Sequence, residues 1–177
     1  MIVYQAASAD DAGAIALLHA QSWEQHYRNE YTAHYLNHEV RADRLQVWTN
    51  RMTNPADNQY VIKAMDGDQL CGFACVFIND DPTWGALVDN LHVSKAWKGR
   101  GIGRKLMQAA GQWVLDQASE KPLYLWVLES NRDARQFYER VGGHLVEKST
   151  KPNPGGGESP VLRYVWADLN ALISAGR

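Results

Sequence analysis

The spacing of apolar positions changes several times along the chain, and each change predicts an element. Met1 to Ala6 reads as a short strand. Ser8 and Asp11 then form a capping-box-like start, after which Ile15, Leu18, Ser22 and Trp23 recur at helical spacing. A second helical region, broken somewhere in residues 28–40, runs to about Met52, and Asn54-Pro55 closes it. Residues 60–64 and 70–78 read as strands flanking Asp66-Gly67, a strong hairpin signal. Trp84 to Val93 predicts another strand. Ile102, Leu106, Ala109, Ala110, Trp113 and Val114 mark an amphipathic helix over residues 101–118.

Leu123 to Leu128 is an uninterrupted apolar run, expected as a buried strand. Ser130 and Asp133 cap a short helix with Ala134, Phe137, Tyr138 and Val141 on one face, ended by Gly142-Gly143. His144 to Lys148 and Val161 to Ala167 predict a last strand pair around a mobile Gly/Pro loop at residues 151–160. The order β-α-α-β-β-β-α-β-α-β-β predicts an α/β domain with a mixed sheet. No linker or repeat divides the chain, so one domain is expected over residues 1–177.

Composition narrows the class. With 177 residues, 45% hydrophobic and 21% charged, the chain can bury a sizeable core and does not read as disordered. It lacks an apolar stretch long enough for a membrane span, and residues 1–5 lack the layout of a secretory signal. A cytoplasmic location with no membrane partner is therefore expected. Cys71 and Cys75, four residues apart on a strand, sit too far apart to bridge and are expected as buried thiols. A net charge of −2 argues against nucleic acid as a partner.

Local charge changes that picture. Between Asn90 and Leu115 there is no acidic residue, but Lys95, Lys98, Arg100, Arg104 and Lys105 together contribute +5. Removing that stretch from the total of −2 leaves −7 on the rest of the chain. Within it, Gly99, Gly101 and Gly103 follow a strand and open a helix. Glycines there let the backbone approach a ligand, and the first helical turn offers unpaired N–H donors and the positive end of the helix dipole. A ligand with several phosphates is the expected partner. A Walker A loop does not fit, because Gly103-Arg104-Lys105-Leu106 lacks the hydroxyl. A Rossmann fingerprint does not fit either, because Arg104 occupies the third glycine position and the segment follows the fourth strand.

A third pattern matches. Lys98-Gly-Arg-Gly101-Ile-Gly103 after Val93, together with Asn131-Arg-Asp-Ala134-Arg-Gln-Phe137-Tyr138-Glu-Arg-Val-Gly142, resembles the GNAT superfamily of acyl-CoA-dependent N-acetyltransferases. Lys98 departs from the Gln or Arg usual at that position, a change a backbone-built site tolerates. The resemblance covers most of residues 1–167. It implies a mixed sheet of about seven strands with about four helices, splayed between the fourth and fifth strands.

It also implies roles. The backbone of Leu91, His92 and Val93 would hold the pantetheine arm of acetyl-CoA. Residues Lys98, Gly99, Arg100, Gly101, Ile102, Gly103 and Arg104 would hold the pyrophosphate, and Asn131 and Tyr138 would also contact the cofactor. Tyr138 would be the general acid toward the departing thiolate. The base follows from no motif; Asp89, Glu129 and His92 are candidates. Trp23, Tyr27 and Tyr31, with Tyr35 and histidines 26, 34 and 38, make an aromatic wall expected to receive an amine acceptor. His34 and His38, one turn apart, lack the companion ligands of a zinc site, and no metal is expected. The implied activity is acetyl transfer to a primary amine by direct attack. Transfer of a longer acyl chain, or CoA sensing without catalysis, are the alternatives. A homodimer through the terminal strands or the Trp-rich segments is a further expectation.

Overall fold

A computed structural model describes residues 1–117 and 122–175. Seven strands form one mixed sheet in the order β1-β2-β3-β4-β5-β7-β6. They are β1 (Val3–Ala6), β2 (Gln59–Asp66), β3 (Gln69–Asp81), β4 (Gly85–Val93), β5 (Leu123–Leu128), β6 (His144–Pro152) and β7 (Glu158–Trp166). Among the described residues five α-helices accompany them: α1 (Ala12–His26), α2 (Val40–Thr53), α3 (Ile102–Asp116), α4 (Arg132–Arg140) and α5 (Leu169–Ser174). The α/β class and the seven strands are as expected from the sequence, with one helix more than the expected four.

The sheet is antiparallel except at one seam. β4 and β5 run parallel and pair only at Ala86–Leu123 and Leu87–Tyr124, after which they diverge. This is the expected splay, and it opens a gap along the C-terminal half of β4. On the other edge of β4, the register with β3 slips between Cys75 and Val76, so that Asp89 is the extra residue of a bulge. Ser94 N–H donates to Cys71 C=O at 2.9 Å. The antiparallel alternation that follows turns the amides of His92 toward β3 and those of Leu91 and Val93 into the gap.

Helices cover both faces of the sheet. α3 lays Ile102, Leu106, Met107, Ala110 and Val114 against Ile62, Ala64, Val88 and Leu125, forming the larger core. α1 and α2 cover the opposite face, where Ile15, Leu18 and Trp48 meet Val61, Phe73 and Cys75. Cys71 and Cys75 are both buried and unbridged. Burial pushes the Cys75 thiol up to about 12, so it is an inert packing group.

Several details differ from the sequence expectation. The Ser8–Asp11 box first caps a single 3-10 turn, Ala9–Asp11, which leads into α1. The break expected in residues 28–40 resolves into a π-helical turn, Tyr35–Glu39, that runs straight into α2. α3 ends at Asp116, and residue 118, the expected last residue of that helix, lies outside the described residues. The expected loop at residues 151–160 shrinks to residues 153–157, because β6 and β7 pair as far as Pro152 and Glu158. α5 follows the last expected strand and is additional to the expected helices; Asp168 caps it through Ala171 N–H at 3.0 Å, and Leu172 packs on α3 beside Gly111. Among the described residues no helix is long and apolar enough to cross a membrane.

Candidate active site

The splay of β4 and β5 opens into a cleft of about 880 Å³, a size ordinary for a small-molecule site. It is bounded by α1, α2, β4, β5, α4, the N-terminus of α3 and the turn between β6 and β7.

One end is an anion cradle. Gly101 caps α3 with φ +78, a left-handed conformation that costs a residue with a Cβ about 1–2 kcal/mol. The first intrahelical bond runs from Lys105 N–H to Gly101 C=O at 3.1 Å. The N–H groups of residues 101–104 therefore have no helical carbonyl to bond and face the cleft mouth with the positive end of the helix dipole. Lys98, Gly99, Gly101, Ile102, Gly103 and Arg104 line this end. Arg100 does not: it is exposed, with its guanidinium 4.6 Å from the Trp97 ring. Lys98 Nζ lies 3.0 Å from His26 Nε2. Burial, then the Lys98 charge, holds the His26 pKa below its ordinary value, so the pair does not bring two cations together near pH 7.

At the middle of the cleft are Leu91, His92 and Val93 on one side and Asn131 and Tyr138 on the other. Asn131 caps α4 by accepting from Ala134 N–H at 3.2 Å. Tyr138 is buried against Phe137, Tyr164 and Trp166. Burial holds its phenol well above the ordinary range, so it keeps its proton. His92 Nδ1 lies 2.9 Å from Ser22 Oγ. Burial, helped by the nearby basic groups of His26, Lys98 and Arg44, pushes the His92 pKa down to about 3, and the ring is neutral. His19 stands next to it with ring centroids 4.6 Å apart, accepting at Nδ1 from Trp48 Nε1 at 2.9 Å. Its ring is likewise held neutral, chiefly by burial.

The structure brings two of the three candidate bases into the cleft. Asp89, aimed by the bulge, lines it and takes Arg51 Nη1 on Oδ2 at 2.6 Å. Glu129 lies outside, paired with Lys148 at 2.8 Å.

The other end is aromatic. Trp23 is stacked on Tyr27 at 5.6 Å and meets Tyr31 edge-on at 5.1 Å. Burial raises the pKa of Tyr27, with Tyr31 and Tyr138 adding to the effect, and pushes that of Tyr31 up to about 12. Sequence reasoning missed the charged part of this wall: Arg44, Arg51 and Lys151 all line it. It also missed what holds the wall in place. Asn153 Nδ2 donates to the Glu30 carbonyl at 3.0 Å and to Ser159 Oγ at 2.8 Å, and Ser159 Oγ donates to Glu30 Oε2 at 2.9 Å. Gly155 lies so close to Tyr35 that a Cβ would come within 2.5 Å of it. The Gly/Pro turn is thus docked on the segment that carries the aromatic wall. His34 and His38 lie away from the cleft, with His34 Nε2 2.9 Å from Glu39 Oε1. Among the described residues no three His, Cys, Asp or Glu side chains gather as a metal site.

A family model described as the acetyltransferase (GNAT) family matches residues 20–143. A curated relative described as a probable spermine N(1)-acetyltransferase, from Bacillus subtilis subsp. natto, is 29% identical over 82 residues. That match covers 44% of this chain and 53% of the relative, so the chain spans about half the length of the curated relative it matches. Among solved structures, PaiA N-acetyltransferase from Thermoplasma acidophilum in complex with coenzyme A superposes with a TM-score of 0.68 at 17% identity, covering 94% of this chain and 99% of that one. Arabidopsis thaliana NAA60 in complex with acetyl-CoA gives 0.70 at 15% identity, covering 94% and 98%. At these identities the likeness is one of fold.

Proposed function

This chain belongs to the GNAT acetyltransferase family, and from that premise we propose that it transfers an acetyl group from acetyl-CoA to a primary amine of a small molecule, amino acid or peptide, by direct attack within a ternary complex. The observation that carries the reading is that the cleft is continuous: the α3 cradle, the open edge of β4, Tyr138 and the aromatic wall all line it.

Acetyl-CoA supplies a thioester already activated for attack by an amine. The pyrophosphate fits the cradle, because residues 101–104 offer amide donors and the nearby Lys98 and Arg104 add charge. The outward amides of Leu91 and Val93 hold the pantetheine arm in the manner of a missing β5 strand. One of these N–H groups donates to the thioester oxygen and stabilises negative charge as it develops there. Tyr138 gives its proton to the leaving sulfur, a role suited to a buried phenol that stays protonated. Of the candidate bases we favour Asp89, whose Oδ2 is engaged by Arg51 and whose Oδ1 has no hydrogen bond among the described residues. His92, neutral down to about pH 3, is a weak proton acceptor and serves to line the thioester pocket.

Release of CoA thiol on mixing protein, acetyl-CoA and a panel of amines tests the reading. Turnover with at least one amine is expected. A protein that acetyl-CoA does not stabilise against heat would refute it. Stabilisation without turnover on any amine would instead favour the sensor, and turnover only with longer acyl-CoA would favour the other donor class.

A further inference from the structure

The charges around the acceptor end of the cleft discriminate between amines, an inference that rests on the acetyl-transfer reading above. Three cations line that end: Arg44 and Arg51 from α2, and Lys151 from β6. Among the described residues only two carboxylates line the cleft, Asp89 and Asp133. Arg51 already holds Asp89 at 2.6 Å. Asp133 lies in the first turn of α4, close enough to His26 to act on its titration, at the donor end. The one carboxylate at the acceptor end among the described residues, Asp89, is therefore already paired with a cation through Oδ2.

Arg44 is the best-organised of the cations. Its guanidinium lies 4.4 Å from the Trp23 ring, and its Nη2 donates to Asp43 at 2.9 Å. Asp43, outside the cleft, is itself held by the Tyr35 hydroxyl. The side chain is only 12% exposed, and its Nε is buried with no acceptor. Such an arginine is fixed in advance of binding, with donors left for a planar anion. Lys151 has no ion pair among the described residues, and its Nζ lies 4.4 Å from the Trp126 ring. A polyamine entering this end would set several ammonium groups against Arg44 and Lys151 with only the arginine-paired Asp43 and Asp89 nearby to compensate, and like charges in a partly desolvated site are disfavoured. A carboxylate would meet the opposite situation.

We propose that the acceptor is a primary amine that also bears a carboxylate, of the amino-acid class, with Arg44 receiving the carboxylate and Lys151 adding to the attraction. The aromatic wall then takes the body of the molecule and Asp89 faces the amine.

Matched acceptors test this. Thiol release from acetyl-CoA is measured for tyrosine against tyramine, ornithine against putrescine and lysine against cadaverine, with spermine alongside. The expected result is a kcat/KM at least 10-fold higher for the carboxylate-bearing member of the pairs that turn over. Arg44→Gln should shrink that ratio about 10-fold, Arg44→Lys should restore part of it, and Lys151→Met, on an exposed residue, should shrink it about 3-fold. Thermal stabilisation by acetyl-CoA, unchanged in each variant, shows that the fold and the donor site are intact. Faster turnover of spermine or of the decarboxylated members overturns the carboxylate proposal and leaves acetyl transfer standing. Stabilisation by acetyl-CoA with no turnover of any carboxylate-bearing amine also overturns it. Absence of both stabilisation and turnover brings down the acetyl-transfer reading itself.

Discussion

On the proposed donor side of the cleft, the surface offered to a ligand is made of backbone: a left-handed glycine, the first turn of α3 and the outward amides of a strand that has lost its neighbour. On the acceptor side it is made of side chains brought from three distant places, Trp23 to Tyr31, Arg44 with Arg51, and Lys151 with Asn153. A backbone site depends on chain path more than on the identity of its side chains. A side-chain site depends on every residue that supports it, including the Glu30–Asn153–Ser159 contacts that hold the Gly/Pro turn against Tyr35. The first kind is conservative in ligand, and the second is where specificity can change.

Breaking the donor side at its backbone should have the largest effect. Gly101→Val forces a β-branched residue to φ +78 and displaces the amides of the first turn. Loss of one or two charge-assisted hydrogen bonds predicts an acetyl-CoA affinity lower by roughly 100-fold, read by calorimetry, with acceptor preference unchanged among residual turnover.

Acid should weaken the boundary between the two sides. His19 and His92 are held neutral in the fold, His92 down to about 3, whereas an unfolded histidine titrates near 6.5. Below about 6.5 the unfolded chain therefore binds protons that the native chain refuses, and stability falls as pH drops; above it this contribution is complete. Between pH 7 and pH 5 urea denaturation should show a loss of stability, up to about 2 kcal/mol of it from His92, and His92→Gln should flatten that slope. A stability independent of pH over this range would mean that neither ring is held neutral in the fold.

Tyr138→Phe probes the meeting point of the two sides. It should lower kcat about 10-fold or more while leaving the KM for acetyl-CoA nearly unchanged. Unchanged turnover would remove the phenol from the chemistry. The smallest effect belongs to the exposed charges. Lys98→Ala should raise the KM for acetyl-CoA about 3-fold in low salt, and the difference should fade at 0.5 M salt, since exposed charge is readily screened.

This division between backbone and side chains also explains what could be read from the sequence. Glycine spacing, an acid-free cationic stretch and strand periodicity are local, so the glycine-opened start of α3 and all seven strands were legible; Tyr138 was singled out only by the family resemblance, and it lines the cleft. Arg44 and Arg51 were not, because on a helix a charged residue reads as solvent-facing; only the packing of α2 beside the bulge at Asp89 turns them inward. The bulge itself has no compositional signature. Glu129 was a reasonable candidate from its position just after β5, but the pairing of β6 with β7 brings Lys148 to it on the outside of the cleft. Arg100 belonged to the cationic run, yet it does not line the cleft and its guanidinium lies against the Trp97 ring instead. α5 was missed for its shortness, although Asp168 and the spacing of Leu169 and Leu172 were its signal.

The claim that donor and acceptor occupy this cleft together is tested most directly by initial velocities over a grid of acetyl-CoA and acceptor concentrations. Direct attack in a ternary complex predicts double-reciprocal lines that intersect, with no acetylated protein detectable by mass spectrometry when the acceptor is left out. Parallel lines accompanied by a stable acetyl adduct on the chain would contradict it.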